Sequence, residues 1–213
     1  MCFWVYKRRF VVKVYGDIQS GNCYKVKLLL AFLGIEHEWH HVNILKGDTK
    51  TAEFLSINPN GKIPAVVLDD GRCLSESNAI LGYFADGTAL IPSDKYEKAK
   101  MYEWLFFEQY SHEPFIAVAR FIQKYQGMPE SRLEEYHALQ PGGNKALSMM
   151  ESRLAQTDYL VGKQLTIADI ALYAYTHIAD EGGFNLSHYP NIQAWCKRLQ
   201  EQTGYVGMVE TNT

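Results

Sequence analysis

A serine, an asparagine and a cysteine stand within four residues of one another in Ser20-Gly21-Asn22-Cys23. They end a polar, glycine-containing loop over 16–22 and open an apolar run of helical spacing at Cys23, Val26, Leu30 and Leu33. A helix starting there turns its first backbone amides and the positive end of its dipole toward the loop, which suits an anion. A thiolate is such an anion. A free thiol titrates near pH 8.5, so holding it ionised at neutral pH takes a shift of about two units, about 2.7 kcal/mol. One hydrogen bond to the charged sulfur contributes roughly 1.5–3 kcal/mol and a helix terminus roughly 0.3–1 kcal/mol, so one hydroxyl and the helix end suffice. Three residues compete for this chemistry. Ser20 or Asn22 can donate to a bound thiolate, whereas Cys23 can be the thiolate itself, since a thiol at a helix N-terminus is activated toward disulfides. Against these stand two structural roles: Ser20 as the helix N-cap, and Cys23 as a small buried apolar residue beside Val26 and Leu30.

A second run carries binding chemistry. Asn58-Pro59-Asn60-Gly61-Lys62-Ile63-Pro64 leads into the short apolar stretch Ala65-Val66-Val67-Leu68, the turn pair Asp70-Gly71 and a returning stretch over 72–75. Pro64 donates no ladder hydrogen bond and X-Pro is the common candidate for a cis bond, so Ile63 is placed to present its N–H and C=O as an unpaired edge. An extended peptide can pair there. Glu76-Ser77 falls where the second strand hands over to a helix, bringing amides and a hydroxyl together on a carboxylate. Backbone plus carboxylate is what a small peptide offers.

The elements that must position these residues follow from pattern. Residues 11–15 read as a buried strand, a helix runs from Cys23 to a stop at Gly34, and 38–42 fits a strand, giving β-α-β. A short helix over 52–57, the hairpin and a helix over 77–85 complete a thioredoxin-like α/β domain. The linker of residues 87–93 follows residues 11–86, residues 1–10 form an N-terminal extension, and residues 94–213 read as an all-α domain. In that domain Pro114 is expected to kink or divide a long helix, Pro141-Gly142-Gly143 to interrupt the next, and a last helix to span 190–202. Thr166 and Asp169 have the spacing of a helix capping box, so Asp169 is read as structural rather than catalytic.

Composition sets limits. The chain has 213 residues, 47% hydrophobic, with a net charge of −3 and scattered Lys and Arg, so it builds a core and lacks the basic stripe of a nucleic-acid binder. Cysteines at 2, 23, 73 and 196 show no metal-ligand spacing, which fits reduced thiols in a cytoplasmic protein. No metal is expected. The opening residues have no apolar run long enough for a signal peptide or membrane span.

In the order and spacing of N-P-x-G-K-I-P, the Glu-Ser pair twelve residues beyond Pro64, and the helical second half, residues 11–210 resemble the cytosolic glutathione transferase family. The resemblance implies a thioredoxin-like domain followed by an all-helical one, glutathione as co-substrate, and a homodimer without nucleic-acid or membrane partners. Ser20 matches the serine that theta- and delta-like members use on the glutathione thiolate, and Ser20-x-Asn22 is similar to the Thr-x-Asn of nu-like members. Tyr15 belongs to the first strand and is expected to point into the core, so the tyrosine of the alpha, mu and pi classes has no counterpart. Ile63, beside Pro64, is expected to pair with the cysteinyl unit, Glu76 and Ser77 to hold the γ-glutamyl amine and carboxylate, and Lys62 and Lys50 to meet the glycyl carboxylate. The electrophile pocket is expected at Tyr110, Phe115, Ala119 and Arg120. Implied activities are detoxifying conjugation of small hydrophobic electrophiles, nu-like disulfide reduction or peroxide reduction, or a non-catalytic binding role on the same fold.

Overall fold

The computed structural model describes residues 11–209, and the N-terminal extension of residues 1–10 lies outside them. The first half is a four-stranded sheet in the order β2-β1-β3-β4. β1 (Val12–Gly16) pairs parallel with β2 (His37–His41) and antiparallel with β3 (Ala65–Val67), which forms a hairpin with β4 (Cys73–Ser75). Gly71 closes that hairpin at φ 84°, in the left-handed region that glycine enters without penalty. With α1 (Gly21–Phe32), α2 (Ala52–Ile57) and α3 (Ser77–Ala85), this is the thioredoxin-like arrangement.

Helix α1 organises the molecule. Val26 and Leu30 pack with Val14, Val66 and Ile80 against the sheet, while Tyr24, Leu28 and Leu29 belong to the core of the helical half. A helix covered on both sides is apolar nearly all round, and even Lys25 and Lys27 are buried. Its end is a Schellman motif: Gly34, at φ 63°, donates to the Ala31 carbonyl and Ile35 donates to that of Leu30. Tyr15 is half-buried rather than deep in the core. It stacks on His40 with ring centroids 4.7 Å apart and packs against Val42, Phe54 and Ala65.

The helical half begins with α4 (Lys95–Phe107) and passes through a π-helical segment, Glu108–His112, into α5 (Glu113–Arg120) and a second π-helical segment, Phe121–Tyr125. Pro114 lies in the first turn of α5, where its missing N–H is tolerated. α6 (Leu133–Leu154) corrects the expected break at Pro141-Gly142-Gly143, because the helix runs straight through it. The glycines are packing notches: a Cβ at Gly142 would stand 2.3 Å from the Phe115 ring, and one at Gly143 2.3 Å from that of Phe184. Close packing of two aromatic rings against the backbone offsets what proline and two glycines cost the helix.

α7 (Ile167–Thr176) is buried along its whole length and α8 (Pro190–Gln200) covers it through Trp195. The capping box at its start is formed by Thr166 and Asp169. Asp169 also accepts the N–H of Leu160 and the indole N–H of Trp195, at 2.9 and 3.0 Å, so the carboxylate is consumed by structure.

Candidate functional site

Ser20 is the N-cap of α1, and its hydroxyl oxygen accepts the Cys23 N–H at 3.4 Å. The loop before it is held from both sides. Asp17 accepts the N–H of Gln19 through its side chain and that of Ser20 through its carbonyl, while Arg120 of α5 donates to the Gln19 carbonyl at 2.8 Å. The other face of the Arg120 guanidinium bonds Glu181 at 2.7 Å. Ser20 therefore opens onto a cavity of about 510 Å³ with its backbone fixed, lined also by Ile63, Ala117, Phe121, Tyr125 and Tyr175.

Cys23 is fully buried, and burial pushes its thiol up to about 12. The Ser20 hydrogen bond lowers it by less than burial raises it. A neutral thiol without access to solvent is no nucleophile, so Cys23 is the small apolar core residue of the two roles open to it.

Next to this cavity lies a smaller polar one of about 150 Å³, where Asn22, Lys62, Ile63, Pro64, Glu76 and Ser77 meet Gln109 and Glu113. The Ile63-Pro64 bond is cis, and no hydrogen bond among the described residues falls on the N–H or C=O of Ile63. Asn58, through its amide, holds the Lys62 carbonyl at 2.7 Å and so shapes this edge. Glu76 stands at the start of α3 at φ 64° and ψ 109°, outside the regions that side chains favour. Such strain costs about 1–3 kcal/mol and is found where a ligand clamp is built.

Ser77 donates to the Asn22 side-chain oxygen and accepts from the Lys25 ammonium, both at 3.3 Å. Lys25 is paired in turn with Glu108 at 2.7 Å, with both side chains buried. Burial alone would raise Glu108, but the Lys25 charge and hydrogen bond outweigh it and hold the carboxyl below its ordinary range. Asn22 also donates to Glu113 at 3.4 Å, so its side chain is engaged in the smaller cavity. Lys50 is exposed, its ammonium 2.9 Å from where a Cβ would stand on Gly61, which lines the larger cavity.

Three of the four residues expected to line the electrophile pocket are placed elsewhere. Tyr110 is 82% exposed, Phe115 packs onto Gly142, and Ala119 is in the core; Arg120 alone lines the cavity. Those four residues do not lie on one helical row, and the row that lines the cavity runs at i, i+4 spacing from just after the π-helical segment Glu108–His112. The face presented is Glu113, Ala117, Phe121 and Tyr125.

Glu113 is the main residue that sequence reasoning missed. It borders both cavities, and burial raises its carboxyl, with Glu108 adding to the effect against Lys25. A ligand ammonium would relieve it. Its only sequence signal is its place at the start of an apolar stripe. A larger cavity of about 830 Å³ lies at the other end of α1, by Leu30, Gly34 and Trp39. That end of the helix dipole is negative and disfavours an anion. Among the described residues no cluster of His, Cys, Asp and Glu is spaced to hold a metal, and no helix is long and apolar enough to cross a membrane.

Comparison with known proteins meets this geometry. Residues 19–86 match the family model "Glutathione S-transferase, N-terminal domain" and residues 99–203 match "Glutathione S-transferase, C-terminal domain". A solved glutathione S-transferase from Pseudomonas fluorescens is 59% identical with a TM-score of 0.92, over 94% of this chain and 100% of that one. Glutathione S-transferase 3 of Zea mays is 31% identical over 91% of each chain. The disulfide-bond oxidoreductase YfcG of Escherichia coli is 31% identical, over 86% of this chain and 87% of its own. The chain spans 66% of the length of Protein URE2 of Eremothecium gossypii, to which it is 28% identical.

Proposed function

The chain belongs to the glutathione S-transferase family, and from that premise we propose that it binds glutathione across the two adjoining cavities and transfers its thiolate to a small hydrophobic electrophile. The observation that carries this reading is the continuity of the Ser20 cavity with the Ile63 edge and the Glu76-Ser77 helix start. A tripeptide with its cysteinyl backbone on Ile63 places its γ-glutamyl carboxylate at the amide end of α3 and its sulfur toward Ser20. Glu76 and Glu113 meet the γ-glutamyl amine, and Lys62, with Lys50 at the rim, meets the glycyl carboxylate.

The chemistry is then short. Ser20 donates its hydroxyl hydrogen to the sulfur, the thiol proton leaves to solvent, and the thiolate attacks. A carbon–sulfur bond forms as the bond to the leaving group breaks, the leaving group taking the electron pair. The apolar face of Ala117, Phe121 and Tyr125 holds the electrophile and excludes water. Asn22, bridging Ser77 and Glu113, supports the peptide end.

The likeness to the disulfide-bond oxidoreductase supports a second reading, in which the same thiolate attacks a disulfide sulfur and a second glutathione releases oxidised glutathione. Cys23 takes no part in either, being buried and protonated. A panel of haloaromatics, α,β-unsaturated carbonyls and small disulfides, each assayed with glutathione, separates the two. Turnover of electrophiles is expected; turnover of disulfides alone would move the protein to the second reading, and failure to bind glutathione would end both.

We further infer a cytoplasmic homodimer. Unpaired Cys23, Cys73 and Cys196 fit a reducing compartment, and exposed Tyr83, Tyr102 and Phe106 give α3 and α4 an aromatic face suited to a two-fold contact.

A further inference from the structure

We propose that Tyr175, at the end of α7, is a second hydrogen-bond donor to the substrate thiolate, so that one hydroxyl from each half of the chain holds the sulfur. This inference rests on the glutathione-binding reading above and adds a catalytic residue to it. Tyr175 lines the cavity onto which Ser20 opens. Its ring lies directly on the first turn of α1, since a Cβ at Gly21 would stand 2.5 Å from two of the ring carbons. Residue 21 carries no side chain, and the ring reaches the backbone.

At that contact the phenol oxygen accepts the Asn22 N–H at 3.3 Å, while the Ser20 oxygen accepts the following N–H, that of Cys23, at 3.4 Å. The two oxygens thus occupy successive amides of one helical turn, and both residues line the same cavity. Each spends a lone pair and keeps its hydrogen. Among the described residues neither hydrogen has an acceptor. Both hydrogens are therefore free to turn into the cavity, where an anion receives them.

The groups facing the phenol make it a donor and not a competing anion. Burial comes first, followed by the Glu113 carboxylate of α5, with Glu108 of the π-helical segment also present; they outweigh the Asn22 N–H and keep the hydroxyl protonated far above its ordinary range. Of the cations nearby, Lys25 is committed to Glu108 and Ser77, Arg120 to Glu181 and Gln19, and Arg132 to Glu135, while Lys62 goes to the glycyl carboxylate in the reading above. The thiolate therefore relies on neutral hydroxyls. α7 also has little freedom to withdraw its end, because Asp169 anchors its start to Leu160 and Trp195.

The test is Tyr175→Phe, which keeps the ring over Gly21 and removes the hydroxyl. The pKa of bound glutathione, read from thiolate absorbance against pH, is expected to rise by roughly one unit. The loss in kcat/KM should shrink as pH increases, and Ser20→Ala/Tyr175→Phe should shift the pKa further than either change alone. Affinity for S-methylglutathione, which has no ionisable sulfur, should hold, as a purely structural role would not allow. An unchanged pKa in Tyr175→Phe, with the wild-type thiolate signal present, would overturn the assignment of Tyr175 alone; absence of that signal in the wild type would overturn the glutathione reading with it. Should Tyr175→Phe fail to fold, 3-fluorotyrosine at 175 keeps the hydroxyl as a stronger donor. It should lower the bound thiol pKa, and no shift would equally sink the proposal.

Discussion

The Ser20 hydroxyl accepts one backbone N–H, which leaves it a second lone pair and its hydrogen, so capping α1 and donating to a thiolate are compatible tasks for one residue. The sequence could place Ser20, Asn22 and Cys23 at a helix start but could not order them. What orders them is burial and partner choice, which are long-range: Cys23 packs against Gly16 of the sheet, and Asn22 meets Ser77 and Glu113, 55 and 91 residues away. The backbone geometry at Ile63-Pro64 and at the start of α3 was legible because glycine, proline and the Glu-Ser pair act locally. Glu76→Ala and Ser77→Ala should each weaken glutathione binding by about 1–3 kcal/mol, read by calorimetric titration, because each leaves a charged end of the ligand unpartnered. Unchanged affinity in both would misplace the site. Glu76→Gly separates strain from binding: at φ 64° glycine is at ease, so this variant should resist heat better than Glu76→Ala while binding glutathione no better.

Element boundaries were read well where a stop or a cap is written in a few residues, as at Gly34 and Thr166, and poorly where packing overrides propensity. α6 crosses Pro141-Gly142-Gly143 because Phe115 and Phe184 fill the space the glycines leave. The π-helical segment Glu108–His112 sets where the cavity-lining row of α5 begins, and no single residue type announces it. That segment brings Glu108 onto Lys25 in a fully buried pair. Breaking such a pair strands a charge, so Lys25→Met or Glu108→Gln should cost about 3–5 kcal/mol in urea unfolding, and Lys25→Met/Glu108→Leu should recover most of it. A double variant no more stable than the singles would mean that the pair is not the source of the loss. His112, in the same segment, contributes a pH dependence. Its Nε2 lies 2.9 Å from Thr176 Oγ1, whose own hydrogen goes to the Leu172 carbonyl, so Nε2 carries the proton and the buried Nδ1 is bare. Burial lowers the imidazole to about 4 against 6.5 when unfolded. The unfolded chain binds the extra proton first, so this contribution to stability is whole above pH 6.5 and declines as pH falls to 4, by about 3 kcal/mol. Unfolding of His112→Gln and wild type at pH 7 and pH 4.5 should show the wild type losing more; equal losses would contradict it.

Taken whole, the molecule is a sheet domain and a helical domain joined by α1, which both cores share. The two-domain plan was legible because β-α-β, hairpin and long helices differ in period. The lining of the cavities between the domains was legible only on the sheet side, since the helical side depends on where α5 and α7 come to rest. Assembly belongs to this scale as well. Phe106 is 63% exposed beside Tyr102, and a charge there should be incompatible with a buried two-fold contact. Phe106→Glu should sediment as a folded monomer at micromolar concentration where the wild type sediments as a dimer, and a monomeric wild type would reject the contact. The central claim, that Ser20 holds the thiolate of glutathione at the junction of the two domains, is tested most directly by thiolate absorbance against pH in glutathione-saturated wild type, Ser20→Ala and Cys23→Ala. The account predicts a thiolate present at neutral pH in the wild type and in Cys23→Ala, with a pKa raised by about one to two units in Ser20→Ala. An unshifted thiolate in Ser20→Ala, with signal and activity lost in a folded, glutathione-binding Cys23→Ala, would contradict it.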